Sequence, residues 1–259
     1  ETTYIYGLPA SGTILANPNG DIPRERFVGE PGFDDYDNES YSLGYLFEHD
    51  FSNRLKLRHN LRSFHSDRSF DNIGIVQQPQ SSAGRLFSRT AHDRRDASRA
   101  ISSDTSLQYD WEAGATSHTS LVGFDYVRQR HETERYQQSA PALDLFNPAY
   151  GSGQLGESVP NQYSNVSRKE QVGLYVQNQM KIADKWVVML GGRQDWTDTE
   201  ASRYFDPSQE QQQDDDAFPG RVGFVYLADN GLAPFASFSQ SFEVATGTDR
   251  NGDQFEPTQ

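Results

Sequence analysis

Trp186-Val-Val-Met-Leu-Gly-Gly-Arg-Gln-Asp-Trp196 is the stretch on which the fold turns. Read with the period of two that a β-strand imposes, one face carries Trp186, Val188, Leu190, Gly192, Gln194 and Trp196, and the other carries Arg193 and Asp195. The two Trp bracket the apolar face ten residues apart. At ~3.3 Å per residue they stand ~33 Å apart along the strand. A tilt near ~40° reduces this to about 25 Å, the height of the lipid-facing band between the aromatic girdles of an outer-membrane barrel. Residues 39–51 repeat the spacing with Tyr41, Leu43, Tyr45, Phe47, His49 and Phe51, and 232–242 do so less cleanly with Leu232, Phe238, Gln240 and Phe242. On 166–182 the polar face reads Gln171, Gly173, Tyr175, Gln177, Gln179, Lys181, against Val172, Leu174, Val176 and Met180. A polar lumen and a lipid-facing exterior produce this alternation, but so does a half-buried soluble sheet. His49, Gln194 and Gln240 on the apolar faces weigh mildly toward the soluble reading.

Strand length and connections arbitrate. The alternation predicts strands over roughly 39–51, 54–66, 97–111, 116–131, 166–182, 185–199, 217–228 and 232–243. Most exceed the usual ~5–6 residues, as tilted membrane strands must. Short turns are expected at Ser52–Asn53, Glu112–Ala115, Ala183–Asp184 and Asp229–Gly231, the last with the Asn and Gly that accept positive φ. Between them, 67–96, 132–165, 200–216 and 244–259 read as long polar loops, one containing Gln209-Glu-Gln-Gln-Gln-Asp-Asp-Asp216, and 1–38 as a further loop. Short turns alternating with long loops match an outer-membrane barrel, with tight periplasmic and long extracellular connections.

Composition narrows the function classes. Only 34% of the 259 residues are hydrophobic and the longest clean apolar run is 186–190, so a membrane-spanning helix is excluded. A net charge of -14 argues against nucleic acid as a partner. With no Cys, disulfide scaffolds and cysteine zinc sites are out. The six His (49, 59, 65, 92, 118, 131) show no metal-binding helical spacing. Asp249-Arg-Asn-Gly-Asp253 reads as an ordinary turn rather than a calcium loop. The Asp34-Asp35 and Asp214–Asp216 carboxylates have no nucleophile or base set beside them, so no catalytic residues are expected. Both ends read as cuts in a longer chain.

Aromatic residues in the expected loops are the candidates for ligand contact: Phe33, Tyr36, Phe70, Tyr136, Phe146, Tyr150, Tyr163 and Tyr204. Rigid rings can line a ligand mouth at low entropic cost, although packing anchors beneath loops look the same in sequence.

Several stretches resemble TonB-dependent siderophore receptors, particularly the ferrichrome and hydroxamate branch. They are Tyr6-Gly-Leu-Pro-Ala-Ser-Gly-Thr13, Gly29-Glu-Pro31, Tyr41-Ser-Leu-Gly-Tyr45, Asn60-Leu-Arg62, Gly123-Phe-Asp-Tyr126, Leu143-Asp-Leu-Phe-Asn-Pro148, Gly173-Leu-Tyr-Val-Gln-Asn-Gln179, Leu190-Gly-Gly-Arg-Gln-Asp-Trp196 and Ser237-Phe-Ser-Gln-Ser-Phe-Glu243. The resemblance implies an all-β fold: a transmembrane antiparallel barrel segment, about eight strands of a roughly 22-stranded barrel. All of 1–259 would belong to the barrel domain, with the plug domain absent. It further implies a non-enzymatic receptor in the outer membrane of a Gram-negative bacterium, importing a ferric siderophore with energy from TonB, which grips the missing plug. No cofactor is implied beyond that transported ligand, no protein metal ligands are implied, and phage or bacteriocins are possible partners at the loops. Siderophore contacts would fall to Tyr136 and Phe70 first, then Phe146 and Tyr36. Around Phe70 this chain offers Ile73, Ile75 and Val76 where the branch has ligand-facing aromatics, a departure that bears on which siderophore is bound. Arg193, Asp195 and Gln177 would face the lumen, either toward a plug or as solvated wall. The rivals are a closed eight-stranded barrel with a structural or adhesion role, and a soluble all-β carbohydrate-binding domain.

Overall fold

A computed structural model describes residues 7–243 and 250, apart from 82 and 152. Ten strands form one antiparallel sheet: β1 (Asp35–Asp50), β2 (Leu55–Pro79), β3 (Leu86–Ala113), β4 (Thr116–Asp144), β5 (Val159–Pro160), β6 (Asn165–Ile182), β7 (Trp186–Arg203), β8 (Asp206–Ala217), β9 (Gly220–Tyr226) and β10 (Phe235–Ser239). The order is β1-β2-β3-β4-β6-β7-β9-β10, with β5 added to β4 and β8 to β7. Each long strand pairs with its neighbour in sequence, so the sheet is a meander. Among the described residues β1 and β10 do not pair with each other, so the closed eight-stranded alternative is not what forms. The 244–259 segment, with the Asp249–Asp253 run, lies outside the described residues except for Arg250.

Register turns the alternation of single strands into two continuous faces. Residues directly opposite in an antiparallel pair share a face. Tyr45, Leu61, Ser103, Tyr126, Val172 and Trp196 form one row across β1–β7. Leu57, Leu107, Val122, Val176 and Gly192 form another. At the opposite end Trp186 pairs with Tyr226, ring centroids 4.3 Å apart. Val122, Phe124, Leu174, Val176, Leu190 and Val222 stand exposed between these aromatic ends, a side-chain face that none of the described residues covers. The polar intrusions sit near its margins. Gln194 is two residues from Trp196 and hydrogen-bonds Asp216 at 3.2 Å, and His49 packs edge-on against Phe51 at the turn.

The strands run well past the lipid. β3 has 28 residues and β4 has 29, whereas about 9–11 cross a bilayer. The segments 67–96, 132–165 and 200–216 were expected as loops; the described residues between β4 and β6 do form one apart from β5, and for most of the rest that expectation is corrected. Most of 67–96 and 132–144 continues β2–β3–β4, in register up to shifts at Ile75/Pro79 and Phe87/Arg89, and the Gln/Asp-rich run is β8, paired with the upper half of β7. Backbone ladders make these extensions, and solvated strands above the membrane carry no apolar alternation to announce them. Residues 7–34 do form a loop, but a docked one. Ile22 and Val28 join Ile75, Phe87, Leu143 and Leu145 in a buried cluster. The buried Arg89 guanidinium donates to the Pro141 carbonyl at 2.6 Å and the Gly29 carbonyl at 2.7 Å, and pairs with Glu30 at 2.8 Å.

The β6–β7 turn carries strain that can be tested. Ala183 (φ 48°) and Asp184 (φ 58°) are both left-handed, the backbone of a type I′ hairpin turn that favours Asn-Gly. Left-handed backbone costs an ordinary residue roughly 1–2 kcal/mol. Ala183→Asn with Asp184→Gly should therefore stabilise the protein by about 1–2 kcal/mol. The exposed Lys181–Asp184 ion pair lost in the exchange offsets little of this. The readout is the urea midpoint of the detergent-solubilised protein, and an unmoved midpoint would show that the turn is not strained.

Candidate ligand site on the lumen face

Parity carries the polar face of β4–β7 upward without interruption. Near the middle of the sheet it is a bonded polar wall. Arg193 donates to Asp125 Oδ1 at 2.9 Å and to Asp195 Oδ2 at 2.7 Å. Gln171 reaches Asp195 at 3.1 Å, Tyr175 donates to Asp104 at 2.7 Å, and Arg221 donates to Gln177. Arg193, Asp195 and Gln177 thus engage partners within the wall itself. The face is drawn close by small residues: a Cβ on Gly173 would strike the Arg193 guanidinium, and one on Gly123 would strike the Tyr175 ring. A cavity of ≈ 490 Å³ lies against this wall.

Higher on the same face, where β1–β4 extend past the lipid, a larger cavity of ≈ 630 Å³ opens. Tyr36 of β1 and Phe70 of β2 sit directly opposite one another, ring centroids 5.9 Å apart and edge to face. Beside them are Arg68 and Asn72 from β2, His92 and Arg94 from β3, and Arg135 and Gln137 from β4, with Asn161 and Tyr163 arching in from the loop after β5. Asn161 fastens that loop by donating to Gln137 at 2.8 Å and to the Arg135 carbonyl at 2.9 Å.

The charges here are organised around one carboxylate. Asp96 is nearly inaccessible and accepts from Arg68 Nε at 2.9 Å, Arg94 Nε at 2.8 Å and Thr133 Oγ1 at 2.8 Å. Burial pushes the Asp96 carboxyl up, but the bonds from Arg94, Arg68 and Thr133 overcome this and hold it below the usual carboxylate range. Burial, with the Arg135 charge, holds His92 below the usual imidazole range, so it is neutral at pH 7.

Of the four aromatic candidates, the structure brings two together. Tyr36 and Phe70 share the cavity. Tyr136 stands in register with Asp93 and Asp71, on the opposite face from Phe70, and packs against Phe205 at 5.2 Å with its hydroxyl on Glu134. Phe146 packs against the buried cluster beneath the 7–34 loop, with Arg85 over its ring at 5.6 Å. All four were expected in loops, but Tyr36, Phe70 and Tyr136 are strand residues. The cavity's polar residues were missed by sequence reasoning. Carrying the period of two from 54–66 on to Arg68 and Asn72, and from 97–111 back to Asp96, Arg94 and His92, would have placed them on the lumen face.

Comparison with known proteins gives the family. The model of "TonB dependent receptor-like, beta-barrel" matches residues 1–258. The ferrichrome outer membrane transporter/phage receptor of Escherichia coli K12 is 30% identical over 280 residues, covering 100% of this chain and 37% of its own length. The ferrioxamine B receptor of Salmonella typhimurium LT2 is 31% identical over 255 residues, covering 97% of this chain and 35% of its own length. The chain thus spans little more than a third of the curated relatives it matches. Among solved structures, the closed form of the ferric-catecholate import receptor Fiu from E. coli K12 superposes with TM-score 0.75 over 97% of this chain and 41% of that one, at 17% identity, a likeness of fold. With the exposed apolar face bounded by aromatic ends, the strands that outrun the lipid and a match from one end to the other, this chain belongs to the TonB-dependent receptor-like β-barrel family of the bacterial outer membrane.

Proposed function

We propose that this chain is part of the barrel of a longer receptor that imports a ferric siderophore, of hydroxamate type, across the Gram-negative outer membrane. The work comes from TonB through a plug domain outside this chain. The reading makes the protein a transporter rather than an enzyme, with no resident cofactor. Iron arrives already chelated, as cargo. The observation that carries it is the lumen-face cavity lined by Tyr36 and Phe70, in a chain akin along its whole length to receptors named for ferrichrome and ferrioxamine. Aromatic edges beside guanidinium and amide donors suit a ligand with an apolar frame and oxygen-rich chelating groups. In this role Phe70 and Tyr36 touch the siderophore, Phe146 anchors the loop beneath, and Tyr136 lies outside the cavity. The loops at the same end offer a docking surface for phage or bacteriocins, in keeping with the phage-receptor name of the E. coli relative.

The test is a fluorescence titration of the native receptor, in detergent, with ferrichrome, ferrioxamine B and a ferric catecholate. A hydroxamate should bind and the catecholate should not. Phe70→Ala should weaken binding about tenfold or more, as loss of a central aromatic anchor does. Tyr136→Ala should leave affinity within about twofold, because its ring is on the other face. Catecholate binding alone would overturn the hydroxamate assignment. Loss through Tyr136 with none through Phe70 would overturn the site.

A further inference from the structure

Above the membrane, β1–β4 separate their charges by face, and the separation runs against the composition of a chain whose net charge is -14. On the outward parity stand eight carboxylates, among them Asp71, Asp93, Glu132 and Glu134, with Arg95 in their midst and Arg99 and Arg130 in the next row toward the membrane, Arg130 paired to Glu132. On the lumen parity of the same rows stand Arg68, Arg94 and Arg135 against the single carboxylate of Asp96. Asp93 borders the cavity from the outward parity, its carboxylate paired at 2.7 Å with Arg95, a guanidinium that Asp71 shares at 2.7 Å. Asp96 is shared between two guanidiniums, so it compensates one charge where two are present. The buried Asn72 adds a further donor to the cavity wall: it is 5% exposed, and its side-chain nitrogen has no hydrogen-bond partner among the described residues. Two guanidiniums on one shared carboxylate, and an unanswered donor beside them, make a surface short of negative charge and of acceptors. A ligand that supplies both is favoured, and one that brings a cation meets like charge in a partly desolvated space.

From this we infer that the cavity selects among ferric chelates by their peripheral charge, and takes one that carries an anionic, acceptor-bearing group such as a free carboxylate in preference to a neutral or cationic one. The anionic group lies against Arg94 and Arg68 and within reach of Asn72, while the chelate's frame rests on Tyr36 and Phe70. Asp96 acts as a positioning residue. Bonded to both guanidiniums from below, it fixes their planes without cancelling their charge. The inference rests on the siderophore reading above and goes beyond it, since the relatives' names say nothing about charge.

The experiment keeps the iron centre constant and varies only the periphery. Ferrioxamine B has one free amine, giving a cationic complex. Acetylation of that amine makes the complex neutral, and succinylation makes it anionic, with the same three hydroxamates on iron in each. The three are titrated into the native full-length receptor. The succinyl form should bind about tenfold or more tighter than the parent amine, with the acetyl form between them. In Arg94→Gln the spread between the succinyl and amine forms should shrink to about threefold or less. The wild-type series is itself decisive should the variant fail to fold. Equal affinities across the series, or preference for the amine, would overturn the charge selection and leave the siderophore reading standing. Binding of none of the three would overturn both.

Discussion

Val176→Arg should destabilise the barrel by about 2–4 kcal/mol, while Val172→Arg should cost no more than about 1 kcal/mol. Both residues are on the outward face of β6, four positions apart. Val176 lies midway between the rows of Trp186 and Trp196, with Val122 on one side and Gly192 on the other, and is 59% exposed. An Arg there must hold its guanidinium at the centre of the hydrocarbon. Val172 shares its row with Tyr126 and Trp196 at the aromatic end, where an Arg reaches the headgroups. Guanidinium unfolding of the native receptor in lipid vesicles measures the difference. The gradient is the informative quantity. On a soluble sheet both substitutions would place a charge on a wet surface and cost within about 0.5 kcal/mol. Equal small penalties would therefore remove the lipid from this face.

The second large effect belongs to the lumen wall. Arg193→Met should cost about 3–5 kcal/mol, the usual price of leaving a buried charge without its counterion. Arg193 spans from Asp125 to Asp195, and the Asp195 side chain is only 4% exposed. Without the guanidinium, the carboxylates of Asp125 on β4 and Asp195 on β7 remain on either side of Gly173 of β6, in a space that this glycine keeps narrow. Adding Asp125→Asn and Asp195→Asn should recover most of the loss, because the penalty comes from unpaired charge rather than from a missing contact. Urea midpoints of the single, double and triple variants close the cycle. If the triple variant is no more stable than Arg193→Met alone, the three residues do not act as a unit, and their close packing rather than their charge holds the wall.

Much of this molecule could be read before any coordinates. The facing of Trp186, Leu190 and Trp196 outward and of Arg193 and Asp195 inward follows from strand periodicity alone, since successive side chains must point to opposite sides. The tight turns at 183–184 and 229–231 were legible for a related reason: a chain that reverses between two alternating segments needs a particular backbone there. What alternation could not show was where strands continue once lipid is left behind. Arg68, Phe70, Arg94 and Asp96 lie on strands held by backbone hydrogen bonds between solvated faces, and nothing obliges such a segment to alternate apolar with polar. The run 209–216 pairs with β7 for the same reason, despite a composition that reads as loop.

Residue type likewise did not separate Phe70 from Tyr136. Both are aromatic and both lie beyond the last apolar strand positions, but they fall on opposite parities once β2, β3 and β4 are in register. A one-residue slip would exchange them. Alternation along each strand is written in the residues themselves, and with it the two faces of the membrane wall. Only the tertiary structure decided which residues of β1, β2, β3 and β4 meet above that wall, because Tyr36 and Arg135 are brought to one cavity by a ladder spanning about a hundred positions of chain, and backbone pairing at that range leaves no mark in local composition.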